Sequence, residues 1–209
     1  VPLTEYVSAV ASYTLNYDDI SVDRSQYFTD RQNPPTLECD PLIAGRYLCD
    51  ALGKRTSSIL GLSLIYDTLD NRMRPSRGRA ASVTAEFAGL GGSVKYARVR
   101  ARAAQYWPLG SGFIFSVQGE GGAIKALGND RVQLTDRFFL GEPQFRGFAI
   151  RGVGPRILTQ TSQLDGTGRP ILDANGNITF FTDRNQVRDD AVGGRNYYLG
   201  RAELEIPLG

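Results

Sequence analysis

The sequence has no histidine among its 209 residues. That removes the commonest general base and the commonest metal ligand. Its two cysteines cannot build a four-ligand structural zinc site on their own. Neither sign of charge dominates: 24 Lys+Arg stand against 22 Asp+Glu, and a net charge of +2 makes no case for nucleic-acid binding. No apolar run approaches the ~18 residues of a membrane-spanning helix. The mean hydropathy of −0.26 looks like that of a soluble protein. A transmembrane barrel also averages to ordinary hydropathy, because its strands alternate apolar and polar residues. The opening Val1-Pro2-Leu3-Thr4-Glu5 lacks the charged start and apolar core of a signal peptide. The expectation is a mature product, an excised piece or a cytosolic chain. No metal, no cofactor and no enzymatic activity are expected.

What is present is period-two alternation, in six runs. They cover Tyr6–Tyr17, Ser58–Asp67, Arg79–Ala88, Val94–Tyr106, Gly112–Gly121 and Tyr197–Ile206. Leu60, Leu62, Leu64 and Tyr66 share one face of the second run, and Ala81, Val83, Ala85 and Phe87 one face of the third. In the fourth, Ala97, Val99, Ala101 and Ala103 oppose a basic stripe of Arg98, Arg100 and Arg102. Glu86, Glu120, Glu203 and Glu205 form acidic counterparts on the polar faces of other runs. No comparable helical stretch is seen. Each run is close to the ~9–11 residues with which a tilted strand crosses a bilayer. An Arg facing lipid at midplane costs roughly 2–4 kcal/mol, so the stripe belongs on a wet lumen. A soluble β-sandwich would show the same alternation, with the apolar face as its core.

The connections favour the membrane. They span 18–57, 68–78, 89–93, 107–111 and 122–196, so both very long loops fall on one side. Outer-membrane barrels keep short turns on the periplasmic side and longer loops outside. Tyr66, Tyr106, Trp107, Tyr197 and Tyr198 lie near strand ends, where interfacial girdles sit. Six strands cannot close a barrel, which starts at about eight. The expectation is therefore one part-barrel domain over 1–209, an interior piece of a longer barrel that does not fold alone because both edges are unpaired.

One segment is more specific than the alternation: Phe138-Phe139-Leu140-Gly141-Glu142-Pro143-Gln144-Phe145-Arg146-Gly147-Phe148. Together with Tyr66-Asp67-Thr68-Leu69-Asp70-Asn71, Pro75-Ser76-Arg77-Gly78, Gly152-Val153-Gly154-Pro155-Arg156 and Asp189-Asp190-Ala191-Val192-Gly193-Gly194, it resembles the BamA-type outer-membrane barrel assembly family. The resemblance runs from about Tyr6 to Leu208. Phe145, Arg146, Gly147 and Phe148 match the Arg-Gly-Phe motif of the long loop that those proteins fold into their barrel. This chain departs from the family pattern with Phe145 where Val or Ile is usual, and with Gly141-Glu142 where Gly-Gly is usual.

The resemblance implies an all-β transmembrane antiparallel barrel in the bacterial outer membrane that folds client β-barrel proteins into that membrane. It implies contact with outer-membrane lipids, and with assembly-complex lipoproteins through periplasmic domains outside this chain. It also implies that Arg146 pairs with a carboxylate on the lumen wall, Glu205 first and Glu203 second. A guanidinium suits that task because it binds a carboxylate through two parallel bonds. Two-partner secretion transporters share the arginine motif, so a pore exporting one dedicated protein is the alternative. Cys39 and Cys49 flank Asp40–Leu48. In an oxidising envelope that spacing suits a local disulfide, with two unpaired thiols as the other possibility. Asn175-Gly176 reads as a hairpin turn between Pro170–Leu172 and Ile178–Phe181 rather than as a calcium loop.

Overall fold

The computed structural model describes every residue except 31–36, 41–43, 45, 130, 161–162, 168, 182–186 and 208–209. Leu208, to which the resemblance extends, therefore lies outside the described residues. In chain order the strands are β1 (Val7–Ile20), β2 (Phe28–Asp30), β3 (Leu37–Cys39), β4 (Gly53–Asp67), β5 (Gly78–Gly92), β6 (Tyr96–Gly110), β7 (Phe113–Ala126), β8 (Arg156–Gln160), β9 (Val187–Ala191) and β10 (Asn196–Glu205). Two short helices, α1 (Arg24–Tyr27) and α2 (Arg46–Ala51), and a 3-10 turn at Leu134–Asp136 complete the elements. At four and six residues the helices are too short to leave a periodic signal.

The six expected runs become six strands of one open sheet among the described residues, in the order β1-β4-β5-β6-β7-β10. The pairings recorded from β4 to β10 are all antiparallel. The register aligns the alternating faces. Leu62 pairs with Ala85, Ala85 with Val99, Val99 with Ala123, and Val117 with Ala202, so one apolar row follows another across the wall. A one-residue slip would send each of these side chains to the opposite face.

The strands run longer than the alternation indicated. β4 starts at Gly53 rather than Ser58, β5 ends at Gly92, and β7 ends at Ala126. The added segments Lys54-Arg55-Thr56-Ser57 and Gly89-Leu90-Gly91-Gly92 are polar or glycine-rich. Gly122–Ala126 has small or apolar residues on both faces apart from Lys125, so none of the three shows apolar-polar alternation over a full run. The hydrogen-bonded ladder continues there without binary patterning to reveal it. The long connections are correspondingly shorter, 21–52 and 127–195, and meet the sheet at one end of the strands, here called the loop end. The tight links at 68–77 and Ser111-Gly112 close the other, turn end.

The chain divides into two compact units: Val1–Tyr17, Arg55–Val132 and Arg195–Gly209, which is the sheet, and Asp18–Lys54 with Gln133–Gly194, which holds the long loops. The sheet unit is inverted relative to a soluble domain. Leu60, Leu62, Leu64, Val83, Phe87, Val99, Val117 and Leu204 are all exposed on its outward face. Ile59, Ala88, Tyr96 and Ile124 are buried near the loop end of the inner face. At the first seam, Ser58 donates to the Leu90 carbonyl at 3.1 Å. Its hydroxyl proton is then committed, so the Tyr13 hydroxyl 2.9 Å away donates to it.

The aromatic girdle needs a correction. Tyr66, Trp107 and Tyr198 are exposed, and Trp107 stacks on Phe115 at 5.6 Å. Tyr106 and Tyr197 are half-buried on the other face, and Tyr106 accepts a hydrogen bond from Gln118 at 3.2 Å. Residues adjacent in a strand point opposite ways, so the pairs Tyr106-Trp107 and Tyr197-Tyr198 could not both face outward.

Candidate functional site

The Arg-Gly-Phe segment lies in the loop unit, on a base knitted by backbone. Phe138 and Gly194 exchange hydrogen bonds in both directions, at 2.9 and 2.8 Å. The Val153 amide donates to the Leu140 carbonyl at 3.1 Å, and the Phe145 amide to the Gly141 carbonyl at 2.8 Å. The Val192 amide donates to the Pro155 carbonyl at 3.0 Å. The Arg137 guanidinium caps the Val192 carbonyl at 3.2 Å, and that of Arg151 lies 4.6 Å from the centre of the Phe139 ring.

Three glycines permit this approach. A Cβ on Gly141 would stand 2.3 Å from the Ala149 carbonyl oxygen and 2.7 Å from the Arg151 nitrogen. One on Gly152 would stand 2.6 Å from the same oxygen, and one on Gly193 2.7 Å from the Phe138 oxygen. Above this base the rings of Phe145 and Phe148 stack, 4.6 Å apart and 19° from parallel. Between them Arg146 is exposed, and Gly147 has a φ of +85°, a conformation glycine adopts without penalty. The result is a chain reversal that carries Arg146 next to a closely approached backbone base.

The same unit holds the disulfide. Cys39 in β3 is bonded to Cys49 in α2, with Cα atoms 5.6 Å apart. Closing a loop of this size is worth about 3 kcal/mol in the chain-entropy account. Asp40 beside it is almost fully buried, and its amide donates to the Tyr27 carbonyl at 2.8 Å. Further along, Leu172 bridges Ile178 and the Gly176 amide donates to the Asp173 carbonyl, so Asn175-Gly176 does turn a small hairpin. The Asp173 carboxylate accepts the amides of Asn175 and Asn177, which hold its pKa below the usual carboxylate range.

The inner face of the sheet unit is a ladder of paired charges. Glu86 on β5 accepts from Arg98 at 2.5 Å and from Arg100 at 3.2 Å. Glu120 on β7 accepts from Arg102 at 3.1 Å. These arginines lie on β6 between the two acids, and the register places Glu86 opposite Arg98 and Glu120 opposite Arg102. On β10, Glu203 sits opposite Ser116 and is half-buried, whereas Glu205 is exposed.

The Glu205 carboxylate accepts from both Nε and Nη2 of Arg74. Arg74 belongs to the turn between β4 and β5, so this turn reaches past β6 and β7 to the end of β10. Asp70 shapes the turn: it accepts the amides of Asn71, Ser76 and Arg77 at 2.9, 3.0 and 3.1 Å, and the Ser76 hydroxyl. Those donors, the Ser76 hydroxyl first, hold the Asp70 carboxyl well below the usual carboxylate range. Among the described residues no group of His, Cys, Asp and Glu has the grouping of a metal site.

A family model for the Omp85 superfamily domain matches residues 1–209. The chain belongs to the Omp85 superfamily. It is similar to the outer membrane protein assembly factor BamA of Neorickettsia risticii, at 28% identity over 75% of the chain and 17% of that protein. It is also similar to the sorting and assembly machinery component 50 homolog of Bos taurus, at 31% identity over 82% of the chain and 31% of that protein. The crystal structure of BamA from Haemophilus ducreyi lacking POTRA domains 1–3 shares the fold, with a TM-score of 0.65 at 18% identity, over 99% of this chain and 35% of that one. The Omp85 chain described here thus spans about a third or less of the length of these relatives.

Sequence reasoning missed several residues of this Omp85 site. Arg74, Arg137 and Arg151 act through contacts to residues remote in the chain, and nothing local marks them. Gly152 and Gly193 lie within segments singled out for their resemblance, yet the close approaches that require them appear only in three dimensions.

Proposed function

We propose that this chain forms part of the barrel wall of a bacterial outer-membrane protein that inserts client β-barrel proteins into that membrane. The observation that carries the reading is the Arg146 loop, held on a backbone-knitted base within a chain whose whole length matches the Omp85 domain. The names of the bacterial and animal relatives, both assembly components, support it. The work is folding without bond-making chemistry. Client strands add to a sheet edge by main-chain pairing, which is β-augmentation. Outer-membrane lipids surround the wall, and assembly-complex lipoproteins act through parts of the protein beyond this chain.

In this reading Arg146 braces the lumen by pairing with an acid on the inner wall. Glu203 and Glu205 are the candidates. Glu205 is the first of them and Glu203 the second, and both alternate onto the inner face of β10. A guanidinium–carboxylate pair shielded from water resists separation more than a surface pair does, and removing one partner strands the other.

The experiment is depletion of the full-length gene in its host, complemented with wild type or Arg146→Ala, followed by quantification of outer-membrane porins. General loss of porins, restored by wild type and poorly by Arg146→Ala, is the expected result. Normal porins with a single missing secreted protein would refute it in favour of a dedicated export pore.

A further inference from the structure

The inner and outward faces treat their basic residues differently. Each arginine of the inner stripe has a carboxylate partner. The chain has three lysines, and two of them, Lys95 and Lys125, stand at the loop end of the outward face. Lys125 on β7 is directly opposite Ala97, in the same outward row as Phe87. Lys95 immediately precedes β6, and its carbonyl accepts the Leu127 amide at 3.0 Å. A Cβ built on Gly89 would lie 3.4 Å from the Phe87 ring and 3.8 Å from Cγ of Lys95. The Lys95 stem therefore runs beside Phe87, on the outward side.

Both lysines are exposed. Among the described residues neither has a carboxylate partner. They stand two positions apart diagonally on adjacent strands, a relation that sets side chains roughly 7–8 Å apart. Two unpaired ammonium groups at that distance repel unless an anion lies between them. Below them the face is apolar: Phe87, Val83, Val99, Ala101 and Ala123. Lysine stems rest on such a surface while their heads reach the aqueous boundary. The ligand that matches has one or more acyl chains and a negatively charged head at the level of the lysines.

We propose that Lys95 and Lys125 form a binding site on the outward wall for a lipid with a phosphate headgroup and net negative charge, in the leaflet at the loop end. The inference rests on the reading of this face as lipid-facing. A basic residue at an anionic lipid surface contributes about fivefold in binding.

The test uses the full-length protein in nanodiscs of mixed phosphatidylglycerol and phosphatidylcholine, with retained lipid counted by native mass spectrometry. Wild type retains phosphatidylglycerol preferentially. Lys95→Gln and Lys125→Gln each reduce that retention about fivefold, the double variant reduces it further, and Lys95→Arg with Lys125→Arg preserves it. The heat-induced shift of gel mobility shows that each variant is folded. Equal retention by wild type and the double glutamine variant overturns the proposal, as does displacement of the lipid by inorganic phosphate alone. Solubility separates this failure from that of the underlying reading. A protein monodisperse without detergent is no membrane wall, whereas a detergent-dependent protein without headgroup preference overturns only the lysine site.

Discussion

Gly141→Ala is the sharpest test of how the Arg146 loop is held. The new methyl group would meet three backbone atoms: the Ala149 oxygen at 2.3 Å, the Arg151 nitrogen at 2.7 Å and the Gly152 nitrogen at 2.9 Å. No side-chain rotamer relieves such a clash, so the base of the loop must open. Overpacking of this kind costs about 2 kcal/mol. Since each 1.4 kcal/mol is tenfold, the opened population rises about thirtyfold. Arg146 and Arg151 supply trypsin sites inside the affected segment, and cleavage of a transiently opened loop tracks its open population. Limited trypsin digestion of the full-length protein, mapped by peptide mass, should show cleavage after these arginines about thirtyfold faster than in wild type. Two companions set the scale. Gly147→Ala meets nothing within 4 Å but keeps a φ of +85°, so backbone strain of about 1 kcal/mol is its only penalty. Gly166→Ala meets nothing within 4 Å and has no such φ, so it should match wild type. If Gly141→Ala is cleaved no faster than Gly166→Ala, the close-approach argument is wrong.

Two further outcomes follow from the charges. Glu86→Gln should destabilise the protein by about 2 kcal/mol, because Arg98, only 18% exposed, loses an ionic acceptor. Glu120→Gln should cost less than about 1 kcal/mol, because Arg102 is 71% exposed and water replaces the acid. Urea unfolding midpoints in detergent would compare the two, and equal shifts would contradict the ladder as described. For Asp70 the folded pKa is depressed by its hydrogen-bond donors. Its contribution to the turn is therefore present above the ordinary carboxylate value of about 3.9 and is lost as pH falls below it. Carboxyl carbon shifts followed by NMR should show Asp70 still ionised at a pH where exposed aspartates are half protonated. Titration together with them would refute the assignment.

The strands were legible in the sequence where the two faces of the wall meet different media. Ala81, Val83, Ala85 and Phe87 alternate with Ser82, Thr84 and Glu86 because one side meets an apolar surround and the other a polar interior. That contrast fades at the loop end, and with it the signal for residues 53–57, 89–92 and 122–126. The Asn175-Gly176 turn was legible because its chemistry is local: glycine takes the φ of +81° and Asp173 holds the neighbouring amides. The pairing of β8 with β9 was not, because a long intervening segment separates the two strands and neither carries clear alternation.

Arg74 shows the same limit from the other side. Its surroundings read as an ordinary turn, with Asp70 and Asn71 folding it by short-range bonds. Yet its guanidinium reaches Glu205, at the end of a strand added to the sheet after the whole long loop. Nothing in residues 68–77 encodes that distance. It arises from sheet order, since the ladder must bring β10 beside β7 before the turn end of the wall has an acid to offer. Contacts that depend on assembled topology are thus the ones a local reading misses. The arginine stripe stood out because its acids lie on adjacent strands, within reach of one register.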